Sequence, residues 1–181
     1  MYAVIDIETG GFSKTKNAIC EVACIIVNDK LEEVEGYVAV IAPYARRAEI
    51  AEEEGQLCSY KPDAMAIHGI LMEEIENGRP AEEVGKTLFD MLTKHGVTHI
   101  IGHNVKSFDK PWIEEFLDRF GGGFKFENSI CTMIESKNKL PIGTHTITDC
   151  LNYFGISNEN EHRAFGDARA TLKLWLELIK R

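Results

Sequence analysis

Long apolar runs are missing from this chain. No stretch reaches the roughly 18 residues that a membrane-spanning helix requires, which argues against an integral helical membrane protein. A secretory leader is not expected either: Met1-Tyr2-Ala3-Val4-Ile5 offers neither a basic segment nor a cleavable apolar run, and a cytoplasmic location is expected. Cysteine is sparse and odd in number, five in 181 residues, with no Cys-x2-Cys pair, so structural disulfides are not expected. Cys20 and Cys24 are spaced to share a face if their segment is a strand, and there a buried reduced thiol is preferred over a zinc ligand. Basic residues are outnumbered, 20 against 29 acidic ones, and the net charge of −9 argues against a protein that coats nucleic acid electrostatically. Internal repeats, low-complexity tracts and a convincing linker are likewise lacking.

What is present fits an ordinary globular chain. Hydrophobic residues make up 44% and charged residues 27%, and the length suits one domain over residues 1–181. Tyr2 to Glu8 is a short apolar run of the central-strand type. Asn17 to Val27 and Leu31 to Ile41, separated by an Asp29-Lys30 turn, complete a three-stranded meander. Ala42 to Gln56 is charged and weakly patterned, which suits a solvated helix or a surface loop. In Lys61 to Ile70, Pro62 and Gly69 bracket a short helix. Pro80 to Lys94 spaces Val84, Leu88, Met91 and Leu92 as an amphipathic helix does.

Thr98 to Gly102 is the next strand, and Asp109 to Phe120 a helix ended by Gly121-Gly122-Gly123. Ser129 to Thr132 is a brief strand, Thr146 to Tyr153 a short helix, and Arg163 to Lys180 a long closing helix with Ala164, Ala168, Leu172, Trp175, Leu176 and Ile179 along one side. A meander followed by alternating strands and helices predicts an α/β fold, a mixed sheet with helices on its faces.

Three short blocks carry candidate chemistry: Asp6-Ile7-Glu8-Thr9, His103-Asn104-Val105-Lys106-Ser107-Phe108-Asp109, and His162-Arg163-Ala164-Phe165-Gly166-Asp167-Ala168. Asp6 and Glu8, two apart on a strand, point to the same side. A hard divalent cation takes oxygen ligands, and two such ions about 4 Å apart clamp both the attacking and the leaving oxygen of a phosphodiester. Four acids and one base able to titrate near neutral pH therefore suffice for phosphodiester hydrolysis.

In this order, the blocks resemble those of the DEDDh (DnaQ-like) 3′→5′ exonucleases, the family that includes the proofreading subunit of bacterial replicative polymerases. The resemblance spans nearly the whole chain. It implies a ribonuclease H-like five-stranded sheet flanked by helices and a cofactor of two divalent cations, Mg²⁺ or Mn²⁺. Asp6 and Asp167 would bind metal directly, Glu8 would hold the catalytic ion, and Asp109 would anchor the second. His162, five residues before Asp167, would be the general base, swinging in from a polar loop, Asn158 to Glu161, when substrate and metal are bound. No tyrosine, the base of a sister subfamily, lies between His162 and Asp167.

The same resemblance assigns substrate contacts. Thr9 and Gly10 through backbone groups, Phe12 through its ring, and His68-Gly69 at a helix end would line the pocket of the terminal nucleotide. Gly10-Gly11 reads equally well as a plain turn. Asn104 either bonds the strand backbone or orders its own loop, and Phe108 is either a core aromatic or a wedge against a base. The interval from Asn104 to Asp109 is one residue longer than in many polymerase proofreading subunits, as in animal repair exonucleases of the same clan. Lys137 and Lys139, in a polar run before Pro141, are candidates for the upstream phosphate.

The implied reaction releases nucleoside 5′-monophosphates from a single-stranded 3′ end, with DNA ahead of RNA and a DNA polymerase as candidate partner. The alternatives are an exoribonuclease with the same site and a non-catalytic nucleic-acid-binding or polymerase accessory module. The negative net charge does not exclude such an enzyme, because it grips one strand end and bound cations would offset the carboxylates.

Overall fold

The computed structural model describes residues 1–45, 57–158 and 162–181. Five strands, β1 (Tyr2–Thr9), β2 (Ile19–Val27), β3 (Glu33–Val40), β4 (His99–Gly102) and β5 (Asn128–Cys131), form one sheet in the order β3-β2-β1-β4-β5. The first three make the expected antiparallel meander, while β4 adds parallel to β1 and β5 parallel to β4. Parallel neighbours need a crossover, and helices supply it. Between β3 and β4 lie α1 (Pro62–His68), α2 (Met72–Glu76) and α3 (Ala81–Lys94), and between β4 and β5 lies α4 (Asp109–Phe120). The chain then runs through α5 (Thr132–Lys139), α6 (Ile147–Phe154) and α7 (Ala164–Leu178).

Strand alternation sorts the side chains of β1 into two cores. Ala3, Ile5 and Ile7 join Val84, Leu88 and Leu92 of α3 and Trp112, Ile113 and Leu117 of α4 on one face. Val4, with Ala23, Ile25, Val27 and Ile101, packs against Ala164, Ala168 and Leu172 of α7 on the other. Burial of β2 on both faces explains why its sequence reads as an almost unbroken apolar run.

Several expectations need correction. Cys20 and Cys24 do not share a face: Glu8 pairs with Glu21 but Thr9 with Ile19, so Cys20 is the extra residue of a bulge. Cys20 turns to Ile70 and Ile75, whereas Cys24 stays in the α3–α4 core. Both are buried free thiols. The expected strand over Ser129 to Thr132 ends at Cys131, and Thr132 opens α5, which takes in the polar run around Lys137 and Lys139. Polar composition concealed that helix, which a Glu135–Lys139 ion pair at 3.5 Å supports one turn apart. Helix α2 was not anticipated either, being only five residues long.

Helix α7 is buried on two sides, not one: Ala170, Leu174 and Leu178 meet α6 and Leu140, while Ile179 lies beyond the helix and is exposed. Most of the segment expected to be a surface helix or loop, residues 46–56, and residues 159–161 of the expected polar loop lie outside the described residues. Among the described residues no helix is long and apolar enough to cross a membrane.

Candidate active site

Pairing between β1 and β4 ends at Val4↔Ile101, and the second half of β1 carries the acids beyond that point. Asp6 and Glu8 extend the row begun by Tyr2 and Val4, on the face covered by α7. Asp167 sits within the first turn of α7, and the packing of Ala164 and Ala168 under the sheet carries it to the same spot. Ligand oxygens of Asp6, Glu8 and Asp167 all lie within 4.8 Å of one another.

Such crowding makes protons hard to remove. Burial first, and then the charges of Asp109, Glu8, Asp167 and Glu21, push Asp6 well above the ordinary carboxylate range. Glu8 is raised to about 8, again chiefly by burial and then by Asp167 and Glu21, with Arg163 pulling the other way. Asp109, the first residue of α4, is buried and raised to about 7 by desolvation, opposed by hydrogen bonds from the backbone N–H groups of Asp109 itself and Ile7. It thus flanks Asp6 without belonging to the group of three within 4.8 Å. Hard oxygen donors that repel one another in a partly desolvated pocket are the donor set a small divalent cation fits.

The base candidate is placed differently. The backbone N–H of His162 donates to Asp167 Oδ2 at 3.0 Å, and the Asn158 amide donates to Oδ1 at 2.5 Å, so the loop before α7 holds both oxygens of one ligand. His162 adopts φ 64°, a left-handed backbone uncommon outside glycine, and is exposed. The structure therefore brings its backbone, but not a buried ring, to the cluster.

Around the acids, the proposed substrate contacts are resolved one by one. Phe12 is 81% exposed and meets the ring of Phe108 edge-on at 6.4 Å, and Phe108 in turn lies 5.8 Å from Trp112. Gly10 packs so closely on residues 59–60 that a Cβ would come within 2.9 Å of the Ser59 carbonyl. Its N–H is spent on Ala18 and its carbonyl accepts from Lys61, which favours the turn reading over a free backbone donor. Thr9 is buried, with its hydroxyl donating to the Gly11 carbonyl at 2.9 Å.

Gly69 caps α1 with φ 67°. His68 is buried, and its Nδ1 accepts from Ile70 N–H at 3.1 Å, which leaves Nε2 as the protonated nitrogen, turned toward the Thr9 backbone. Burial also depresses its basicity. Asn104 has φ 69°, and its backbone carbonyl accepts from the N–H groups of Ser107 and Phe108, which closes the turn ahead of α4. Lys139 is drawn away from solvent, donating to the Leu178 carbonyl at 3.0 Å.

Sequence reasoning missed three residues here: Glu21, Arg163 and Asn158. Glu21 is only 3% exposed and lies directly opposite Glu8 across the β1–β2 ladder. Arg163 grips it, with Nη2 donating to Oε1 at 2.6 Å and Nε to both oxygens at 3.2 Å. A signal was available for Glu21: it is the one charged residue in a nine-residue strand that is otherwise apolar, and a buried charge requires a partner. Nothing local marked Asn158.

Comparisons with known proteins bear on family and fold. An exonuclease family model of the RNase T type matches residues 3–175. The PolC-type DNA polymerase III of Thermotoga petrophila is 25% identical over 99% of this chain, which spans only 12% of that protein. The DNA polymerase III epsilon subunit of Aquifex aeolicus is 23% identical, over 99% of this chain and 80% of that one. Among solved structures, E. coli exonuclease I in complex with a dT13 oligonucleotide superposes with a TM-score of 0.77 at 18% identity, over 99% of this chain and 40% of that one. Exonuclease X in complex with 5′ overhanging duplex DNA gives 0.67 at 22% identity, over 99% and 92% of the two chains. These likenesses show the ribonuclease H-like fold expected from the sequence. The family match runs through every strand and helix that assembles the carboxylates, and the chain belongs to the DnaQ-like exonuclease family.

Proposed function

We propose that the chain is a metal-dependent 3′→5′ exonuclease that shortens single-stranded DNA and releases nucleoside 5′-monophosphates, with residues 1–181 as one cytoplasmic domain. The observation that carries this reading is the meeting of Asp6, Glu8 and Asp167 within 4.8 Å. These three and the flanking Asp109 would hold two divalent cations, Mg²⁺ or Mn²⁺. When bound, the ions would polarise the scissile phosphate and offset the charge that develops on it.

The remaining work belongs to side chains. His162, exposed and tethered through its backbone to Asp167, swings its ring over the carboxylates and takes a proton from the attacking water. Phe12 and Phe108 offer aromatic faces on which the terminal bases stack, a contact that every base can make. His68, buried beside the Thr9 backbone, would shape the wall of the terminal-nucleotide pocket. With a net charge of −9 the protein lacks a long electrostatic track, so binding concentrates at the strand end.

DNA is favoured over RNA because the structural neighbours named above were solved with oligodeoxynucleotide and duplex DNA. The polymerase III relatives support a DNA polymerase partner.

A gel assay tests the proposal, using end-labelled single-stranded DNA, duplex DNA and RNA with Mg²⁺, Mn²⁺ or chelator. Stepwise loss from the 3′ end is expected, fastest on single-stranded DNA, and none in chelator. Fraying a duplex costs on the order of 1 kcal/mol per stacked step, which slows the paired substrate. Cleavage that persists in chelator, or cuts in a circular single strand, refutes the proposal. RNA degraded faster than DNA selects the exoribonuclease reading, and a bound but uncut oligonucleotide selects the accessory module.

A further inference from the structure

The pair formed by Glu21 and Arg163 is expensive where it stands. A carboxylate at Glu21 faces Glu8 across the ladder, and like charges so placed repel. Its charge makes both Asp6 and Glu8 harder to ionise. An apolar pair would join strand to helix as firmly without the desolvation cost. What an arginine–carboxylate fork adds is direction, because its planar donors fix the orientation of what they hold.

Arg163 is the residue through which the chain passes from the left-handed backbone of His162 into helix α7. Its side chain is anchored on β2, and its Nη1 lies 3.5 Å from Glu74 of α2. The next residue is fixed as well, since the Ala164 N–H donates to Glu21 Oε2 at 2.8 Å and satisfies a donor that the start of the helix would otherwise leave free. The preceding residue is fixed through the His162 N–H on Asp167. The peptide that carries the His162 ring is therefore held from both ends, although the ring itself is exposed.

We infer that Arg163, gripped by Glu21, is a positioning residue: it sets the backbone from which His162 swings, so that the arc of the ring ends over Asp6, Glu8 and Asp167. This inference rests on the proposed role of His162 as base. It gives Arg163 no contact with the substrate.

A double-mutant cycle in the intact protein tests it, with wild type, His162→Ala, Arg163→Ala and the double variant assayed on a single-stranded oligodeoxynucleotide with Mn²⁺. In the wild-type background Arg163→Ala should lower kcat about 10- to 100-fold, as small displacements of reacting groups do. KM should stay within about threefold, because uniform binding is untouched. In the His162→Ala background the same substitution should cost less than about twofold, the signature of a residue acting through another. Mn²⁺ affinity, read by electron paramagnetic resonance without substrate, should stay within about threefold, since the Ala164 N–H still caps on Glu21.

Equal fold losses in both backgrounds would overturn the inference, as would a raised KM with kcat retained, which marks a phosphate contact. If His162→Ala alone keeps wild-type turnover, the base assignment fails and this inference with it. Removal of one partner of a buried pair can prevent folding, so Glu21→Gln/Arg163→Gln provides a neutral second variant. Folded by circular dichroism, it should show the same loss of kcat, and wild-type kcat there would overturn the inference.

Discussion

The two faces of β1 differ in what they ask of the protein. On one, Ala3, Ile5 and Ile7 lie in a dry layer with α3 and α4, and every contact favours folding. On the other, the row starts apolar with Val4 under α7 but ends in Asp6 and Glu8, joined there by Asp167. Repulsion and desolvation raise the proton affinity of Asp6 and Glu8, so this end of the face is held together at the expense of stability. One strand thus serves as scaffold on one side and as a charged site on the other, and the site survives because the opposite core over-determines its position.

The largest effect is expected from Asp6→Ala, which should abolish nuclease turnover while leaving the metal-free melting temperature unchanged or higher, because crowding among carboxylates is relieved. A variant that unfolds would show Asp6 to be structural and end the division between faces. His162→Ala should follow, lowering kcat by about 10²–10⁴-fold, the usual contribution of a positioned base, with Mn²⁺ affinity nearly unchanged. Wild-type turnover in that variant would remove His162 from the reaction.

On the apolar side, Ile5→Ala should lose about 2–5 kcal/mol of stability in urea unfolding through the cavity it leaves. Turnover per folded molecule should stay within about twofold if the two faces are energetically separate. A loss comparable to that of Asp6→Ala would show them coupled.

The charged face should also show itself in pH dependence. Glu8 is raised from 4.5 to about 8 and Asp109 from 3.8 to about 7, so the metal-free folded state holds protons that the unfolded chain has already released. Their stabilising contribution is complete below the unfolded values and is lost as pH rises through the folded ones. Relative to Glu8→Gln, the wild-type melting temperature should therefore fall between pH 5 and pH 8, roughly the window those shifts define, and saturating Mg²⁺ should remove the difference. Parallel curves for the two proteins would contradict the placement of Glu8.

Much of this was legible in the chain itself. Apolar periodicity gave the meander, α3, α4 and α7, because burial on one face or two leaves a regular trace. Pro62 and Gly69 marked α1, as punctuation does where a helix is short. The trace failed where burial was slight or irregular. Helix α5 is polar enough to read as a loop, and the bulge at Cys20 shifts a register that no local signal announces. Among the site residues, Asp6 and Glu8 were placed together by a two-residue spacing, while Asp167 and His162 were found by motif alone.

By itself, then, the sequence determined the elements with a regular apolar trace and which acids are available, since both depend on neighbours a few residues away. Only the tertiary structure decided that Asp167 meets Asp6 and Glu8, that Asp109 stands beside the group of three, and that Glu21, 142 residues from Arg163, grips it. Those distances are set by how α7 crosses the sheet, a matter of packing between segments far apart in the chain, on which the spacing of residues along it is silent.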